Sequence, residues 1–108
     1  MDISLQNKFL QLIDSAIKSR LVVQLKHKGT WRTVEPYMAG IHQQKQTASL
    51  YCYCRDVIPG QQLGNTRWQI FNLDDIEDME LTLYGFETHI DYRGKAESFK
   101  PVYAKMAA

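Results

Sequence analysis

The stretch LVVQLKHKGTWRTVEPYM, residues 21–38, decides the fold, because here apolar residues begin to recur at every second position. The odd-numbered residues from Leu21 to His27 share one face of a predicted strand. A hairpin turn is predicted around Gly29, after which the chain returns as a second strand. Pro36 has no amide hydrogen to donate, so we expect an edge or a bulge at that point.

Outward from this hairpin, the sequence predicts one helix before it and three strands after it. Residues 1–20 carry apolar side chains at helical spacing, with Asp2 as the N-cap, and their apolar stripe is expected to pack on the sheet or, alternatively, on a partner helix. The later strands are predicted in ASLYCYCR, RWQIFN and IEDMELTLY, separated by a Pro/Gly-rich loop and the tight turn LDD. This pattern predicts a mainly β fold with one N-terminal helix, and the strand count favours a small five-stranded antiparallel barrel.

The length of 108 residues predicts one domain. We expect an N-terminal helix at 1–20, a β-barrel at 21–84 and a C-terminal extension at 85–108. The extension contains too many large apolar residues for a disordered tail. We therefore expect it to wrap the barrel or to dock on a neighbouring chain.

Composition excludes several function classes. Thirteen basic and 12 acidic residues nearly balance, so any nucleic-acid binding must rest on a local, salt-sensitive patch. We expect no membrane association, because no segment approaches the roughly 20 continuous apolar residues of a membrane span. The first residues also lack the apolar core of a signal peptide, which predicts a cytoplasmic protein. Cys52 and Cys54 alternate along one strand and are expected to be reduced and buried.

Patterns that carry catalysis or bind metals are weak in this chain. The acidic cluster after the fourth strand is interpreted as a solvated turn, with a weak cation site as the alternative. Three histidines and a Cys-x-Cys pair lack the spacing of a zinc site, and no phosphate loop or nucleophile elbow occurs. We therefore expect no enzyme activity, no metal and no cofactor. The residues concerned are Asp74, Asp75, Glu77, Asp78, His27, His42, His89, Cys52 and Cys54.

Arginines and aromatic residues lie next to each other along the predicted strands. Single-stranded nucleic acids and nucleotides bind to such combinations, through stacking on rings and contacts to guanidinium groups. The alternative is ordinary coverage of a β-surface, because aromatic residues are favoured in strands. His27 is either a hydrogen-bonded strand-end residue or a polar group in a pocket that titrates near neutral pH. The combination comprises Trp31, Arg32, Tyr51, Tyr53, Arg55, Arg67 and Trp68.

Three segments together, AIKSRLVVQLKHKGTWRTVEPYMAG, SLYCYC and RWQIFNLDDIEDMELT, resemble the WYL domain family. The resemblance runs from about Ala16 to Thr82. It implies an SH3-like (Sm-like) five-stranded barrel behind a helix, of the kind that senses ligands in bacterial transcription regulators, with nucleic acid or nucleotides as the favoured ligands. The matching positions are Arg32, Pro36, Tyr37, Leu50, Phe71, Leu73 and Ile76.

The chain also differs from the family pattern. Ala48 and Ser49 replace the naming Trp-Tyr, Gln69 and Asp75 stand where the family has arginine, and His27 stands where tyrosine is common. Arg67, on the same strand face as Gln69, is expected to compensate in part. Only one helix fits before residue 21, so we do not expect this chain to read DNA by itself.

Two hypotheses emerge from these patterns. The first is a non-catalytic sensor or binding module with a regulatory role, for single-stranded nucleic acid or a nucleotide-like anion. The second is a protein-interaction or homo-oligomerisation module with a degenerate pocket, which docks on a second copy or on a regulatory partner through a barrel edge or the C-terminal segment. The predicted ligand-binding residues are His27, Arg32, Tyr37, Tyr51, Tyr53, Arg67 and Gln69.

Overall fold

The structure is a computed structural model that describes residues 3–55, 67–88 and 99–106. Over these residues a helix comes first and six antiparallel strands follow, which confirms the mainly β prediction. The elements are α1 (Ile3–Ser19), β1 (Leu21–His27), β2 (Thr30–His42), β3 (Ala48–Cys54), β4 (Trp68–Asn72), a 3₁₀ turn (Leu73–Asp75), β5 (Ile76–Gly85) and β6 (Phe99–Lys105).

The apolar stripe of α1 faces the sheet, as predicted. Phe9, Ile13, Ala16 and Ile17 are buried in one core with the strands. Their spacing of three and four residues places them on one side of the helix. The helix contacts β1, β2, β5 and β6, so packing on its own sheet occupies the stripe. The predicted N-cap, Asp2, lies outside the described residues.

The long strand β2 organises the sheet, whose order is β4-β3-β2-β1-β5 with β6 also paired to β2. The first half of β2 pairs with β1, where Val34 lies opposite Val23. Its second half pairs with β6, where His42 lies opposite Phe99. The register with β3 shifts just after Pro36, so of the predicted edge or bulge the structure shows the bulge.

The sheet is strongly curled. The ring of His27 on β1 lies 4.8 Å from the ring of Phe71 on β4, although β2 and β3 separate these strands in the sheet. The side of the sheet that carries both rings is therefore concave. Over the described residues β4 and β5 are not paired with each other, so the sheet is open there.

The C-terminal segment adds a strand that the prediction of a five-stranded barrel and an extension at 85–108 had missed. Strand β6 pairs with β2, and it buries Phe99 and Ala104. Pro101 lies inside β6 and made this strand hard to predict, because a proline in a sequence ordinarily argues against a strand. Gly40 permits the pairing, since a Cβ at this position would overlap the carbonyl oxygen of Pro101.

The first hairpin closes as predicted. Lys28 and Gly29 both have positive φ angles, 49° and 80°, as in the tight turns that join twisted strands. The carboxylate of Glu77 on β5 accepts a hydrogen bond of 2.6 Å from the Gly29 amide, which ties the hairpin to the next strand. None of the helical segments in the described part of the chain is long and apolar enough to cross a bilayer.

Candidate functional site

The sheet separates the seven predicted ligand residues onto its two faces. Residues opposite each other in antiparallel strands share a face, and every second residue of a strand returns to it. Arg32 lies opposite Leu25, so it shares the face of His27. Pro36 is on the same face of β2 as Arg32, and Cys52 lies opposite Pro36. Gln69 lies opposite Cys52 and therefore shares this face as well. His27, Arg32 and Gln69 are therefore on the concave side. We call these three residues the concave polar group.

His27 is the most constrained member of this group. Its ring contacts Phe71 edge-on, and its backbone lies between Thr30 and Ile76. Partial burial lowers the pKa of His27 below its ordinary value, and the positive charge of Lys28 lowers it further. The imidazole is therefore held in its neutral form near pH 7.

Arg32 and Gln69 are half-buried and have unused hydrogen-bonding capacity. Within residues 3–55, 67–88 and 99–106, neither their side chains nor that of His27 takes part in a hydrogen bond or a salt bridge. A half-buried guanidinium that loses water without gaining an acceptor is unfavourable. This group is thus suited to a polar ligand that offers acceptors.

Acidic residues at and after the turn between β4 and β5 partly offset the positive charge near the concave polar group. Asp75 and Glu77 both raise the pKa of His27, although burial and the cations outweigh them. The side chain of Asn72 accepts a 3.0 Å hydrogen bond from the Asp74 amide, and that of Asp78 accepts one of 2.8 Å from Met79. These contacts agree with the interpretation of the acidic cluster as a turn and strand cap.

Arg67 lies at the rim of the concave face. Its carbonyl oxygen accepts a 2.8 Å hydrogen bond from the Cys54 amide, which extends the β3–β4 register by one residue. Its guanidinium is exposed and donates a 3.1 Å hydrogen bond to the carbonyl oxygen of Arg55. Arg67 shares the face of Gln69, as the sequence predicted, but part of its donor capacity is already used.

The three predicted tyrosines lie on the opposite, outer face, around Trp68. Tyr53 is opposite Trp68 in the register, and the two ring centroids are 5.3 Å apart. Tyr51 stacks on the indole at 5.1 Å, and Tyr37 meets it edge-on at 4.9 Å. Phe86 completes the group, 5.5 Å from Tyr37. We call Tyr37, Tyr51, Tyr53, Trp68 and Phe86 the outer aromatic cluster.

Burial limits what the outer aromatic cluster can do. Tyr37 and Tyr51 are buried, and Tyr53 is half-buried. The rings that were expected to stack on a base are thus packed against one another. The seven predicted residues do not form one surface, and a ligand on the concave face would not reach these tyrosines.

A half-exposed ion pair that sequence reasoning missed supports the outer aromatic cluster. Glu35 is buried, and its carboxylate lies 3.0 Å from Nε of Arg55. The Tyr37 hydroxyl donates a 3.3 Å hydrogen bond to the other carboxylate oxygen. Arg55 had been grouped with ligand-binding arginines, but its guanidinium neutralises this carboxylate. A glutamate in an otherwise apolar stretch of β2 was the available signal.

The cysteines and His42, the remaining candidates for catalysis or metal binding, are buried and make contacts that support the fold. Cys52 and Cys54 are buried free thiols, and burial raises the pKa of Cys52 well above its ordinary value, so this thiol is unreactive. His42 is buried; its Nδ1 accepts a 3.3 Å hydrogen bond from the Lys45 amide. Among the described residues, no three His, Cys, Asp or Glu side chains come together as a metal site. His89 lies outside the described residues.

Comparisons of the chain with protein-family models, with curated proteins and with solved structures find no match. The resemblance to the WYL family therefore stays a prediction from its residues. The functions proposed for this chain therefore rest on the geometry of the described residues.

Proposed function

We propose that this chain is a non-catalytic binding module whose concave polar group holds an anionic, nucleotide-like ligand, with a regulatory role. The observation that carries the proposal is the placement of His27, Arg32 and Gln69 on one curled face, where their half-buried side chains make no hydrogen bond or salt bridge among the described residues. Polar groups in such a position are stabilised when a ligand supplies the missing hydrogen bonds.

The mixed charge of this face favours a nucleotide over a simple anion. Arg32 offers the bidentate donors that phosphate accepts, and Gln69 offers both a donor and an acceptor for a base edge. The carboxylate of Asp75, close enough to His27 to influence its pKa, would repel a bare anion but accept hydrogen bonds from ribose hydroxyls. The ligand class we infer therefore combines phosphate with hydroxyl or amine donors.

The strand order supports an SH3-like barrel as the frame of this site. β5 lies beside β1, and the short 3₁₀ turn Leu73–Asp75 connects β4 directly to β5. In the proposed barrel these two strands approach each other and close the concave face into a pocket.

Fluorescence anisotropy of short, labelled single-stranded DNA and RNA tests the proposal. Binding should saturate and weaken with salt. The Arg32→Ala, Arg67→Ala double variant should bind at least roughly tenfold more weakly, because both of its charge-assisted contacts to the ligand are removed. Its salt slope should fall by about two, since each arginine is expected to neutralise one phosphate.

A matched control distinguishes binding at the concave face from nonspecific attraction to positive charge elsewhere on the surface. Lys8 on α1 and Lys100 on β6 are exposed cations. The Lys8→Ala, Lys100→Ala double variant changes the net charge equally and should bind like the wild type. Equal affinity of the Arg32, Arg67 variant and the wild type would refute the proposal, as would absence of binding at low salt.

A second candidate function is self-association, and the end of β5 favours it. Leu83 is 95% exposed and Tyr84 is 73% exposed, on a strand paired only with β1 among the described residues. Met79, Leu81 and Leu83 alternate along β5 and therefore share one face, yet of these three only Met79 is buried. Large apolar side chains on an open strand edge favour pairing with another strand.

The occupant we infer for this edge is β5 of a second copy, in antiparallel register. The apolar half of the strand, Leu81–Gly85, would pair with itself, while Glu77 and Asp78 at the other end would remain in solvent. Size-exclusion chromatography with light scattering should then show a dimer that Leu83→Lys converts to a monomer. Gln24→Lys, on an exposed position of β1, is the matched control and should leave the dimer intact.

Leu83→Lys tests self-association more cleanly than truncation of the chain before Phe86 would. Truncation would also remove β6 and so uncover one edge of β2. A wild-type chain that is monomeric at high concentration would eliminate the second candidate.

A further inference from the structure

A groove of about 170 Å³ lies where the end of α1 meets the end of β6. Its lining consists of Ile17, Lys18, Arg20, Lys105 and Met106. Ile17 and Met106 are buried and supply an apolar wall, whereas the other three residues are cations. None of the five belongs to the concave polar group, so the groove is a separate feature.

The groove carries positive charge that the described residues do not neutralise. Lys18 forms a 2.9 Å salt bridge with Asp14, one helical turn earlier. Arg20 donates from Nε to the Thr88 hydroxyl at 3.3 Å, but neither Arg20 nor Lys105 has a carboxylate partner within residues 3–55, 67–88 and 99–106. Two cations from different elements thus border one small concavity.

The backbone at Arg20 links the end of α1 to the residue that follows β5. Arg20 terminates α1 with a φ of 52°, the left-handed conformation that glycine adopts without strain. Its amide donates to the Ile17 carbonyl at 3.3 Å, and its own carbonyl accepts from Phe86 at 3.0 Å. The chain therefore needs this conformation, and an arginine occupies it at some cost in stability.

Stabilisation of the helix end explains only part of the arrangement. Cations in the last turn interact favourably with the helix dipole, and this accounts for Lys18. It does not account for Lys105, which belongs to β6, nor for an apolar wall beside the charges.

We propose that this groove is a second binding site, which takes a small organic oxyanion such as a phosphate monoester. The charged group binds between Arg20 and Lys105, and the apolar part of the ligand contacts Ile17 and Met106. The site is independent of the concave face and does not rest on its proposed function.

NMR titration of ¹⁵N-labelled protein tests the site directly. The probes are inorganic phosphate, phenyl phosphate and benzoate, each added at constant ionic strength. We expect saturable shifts at the Arg20 Nε–H and at the amides of Ile17 and Met106, with phenyl phosphate binding more tightly than inorganic phosphate. Benzoate as tight as phenyl phosphate would widen the ligand class to carboxylates, and weaker benzoate would restrict it to phosphate esters.

Matched variants on one strand make the test specific. Lys105→Gln should weaken phenyl phosphate roughly tenfold, the effect of one charge-assisted contact. Lys100→Gln, an exposed lysine on the same strand, should leave the affinity unchanged. Arg32→Ala should also leave it unchanged, which separates this site from the concave face.

Non-saturable shifts would overturn the proposal, and so would equal weakening by Lys100→Gln and Lys105→Gln. If the spectra show that Lys105→Gln disturbs β6, Arg20→Gln applies the same test from the other wall of the groove. Retention of full affinity in Arg20→Gln would then overturn it.

Discussion

The two faces of the sheet contrast sharply in how their polar groups are satisfied. On the outer face, Glu35 meets both Arg55 and the Tyr37 hydroxyl, and rings surround Trp68. On the concave face, Arg32 and Gln69 have no such partners among the described residues. The Glu35 carboxylate on the outer face is thus satisfied within the chain, whereas Arg32 and Gln69 keep hydrogen-bonding capacity that the proposed ligand would use.

The contrast shows why neighbours in a β sequence make a misleading cluster. Arg67 and Trp68 are adjacent in the chain, as are Trp31 and Arg32, but a strand sends consecutive side chains to opposite faces. An arginine beside an aromatic residue in the sequence therefore does not provide a charge beside a ring in space. Substitutions on each face should separate their roles.

The largest effect is expected from Tyr37→Ala. This side chain is fully buried and contacts Trp68, Phe86 and Glu35, so its removal should lower the free energy of unfolding by about 3–5 kcal/mol. Urea denaturation measures the loss. Tyr37→Phe keeps the ring and should cost only about 1 kcal/mol, because only the hydroxyl hydrogen bond is removed. A loss of only about 1 kcal/mol for Tyr37→Ala would contradict a structural role.

Arg55→Ala should have the next largest effect, because among the described residues it leaves the buried Glu35 carboxylate with only the Tyr37 hydroxyl. We expect a loss of about 1–2 kcal/mol, at the lower end since the Arg55 side chain is 42% exposed and solvent screens the pair. Glu35→Gln in the Arg55→Ala background should restore part of the stability. No recovery in this double-mutant cycle would show that the ion pair is incidental.

Arg32→Ala should change the stability by less than about 0.5 kcal/mol, because the half-buried Arg32 side chain makes no hydrogen bond or salt bridge among the described residues. The same substitution should markedly weaken nucleotide binding, and this combination distinguishes a ligand contact from a structural residue. Parallel urea and anisotropy measurements on Arg32→Ala and Tyr37→Phe test it. A destabilised Arg32→Ala with unchanged affinity would reverse the assignment of the two faces.

The smallest effect is a pH dependence from His27. Its folded pKa lies below the ordinary value of 6.5 because of burial, Lys28 and Arg32, which together outweigh Asp75 and Glu77. The unfolded chain therefore binds this proton more readily than the folded chain. The contribution to stability is complete above about pH 6.5 and is lost as the pH falls toward the folded pKa.

Urea midpoints of the wild type and His27→Gln, measured from neutral to mildly acidic pH, test this prediction. The wild type should lose more stability than the variant as the pH falls. Parallel curves would show that His27 has the same pKa in both states.

Local sequence signals predicted much of the fold. The helical stripe from Phe9 to Ile17, the turn at Gly29 and the bulge at Pro36 each follow from spacing or from one residue's backbone chemistry. Strand β6 escaped prediction because Pro101 interrupts its pattern and because its pairing with β2 depends on the absence of a side chain at Gly40.

The site was less predictable, because it depends on register between distant strands. The pairing of Glu35 with Arg55 spans 20 positions of the sequence, and the bulge after Pro36 alters which later residues of β2 share a face. The sequence correctly grouped Arg67, the residue before β4, on the same face as Gln69. It could not show that the tyrosines of β3 face away from them.

The most direct test of the two-face account is a single NMR titration of ¹⁵N-labelled protein with a short single-stranded RNA. The Arg32 Nε–H and the Gln69 side-chain amide report the concave face, and the Trp68 indole N–H reports the outer aromatic cluster in the same spectrum. We predict saturable shifts of the Arg32 and Gln69 signals while the Trp68 indole signal stays in place. Shifts confined to the Trp68 indole, or no shifts at any RNA concentration, would contradict the account.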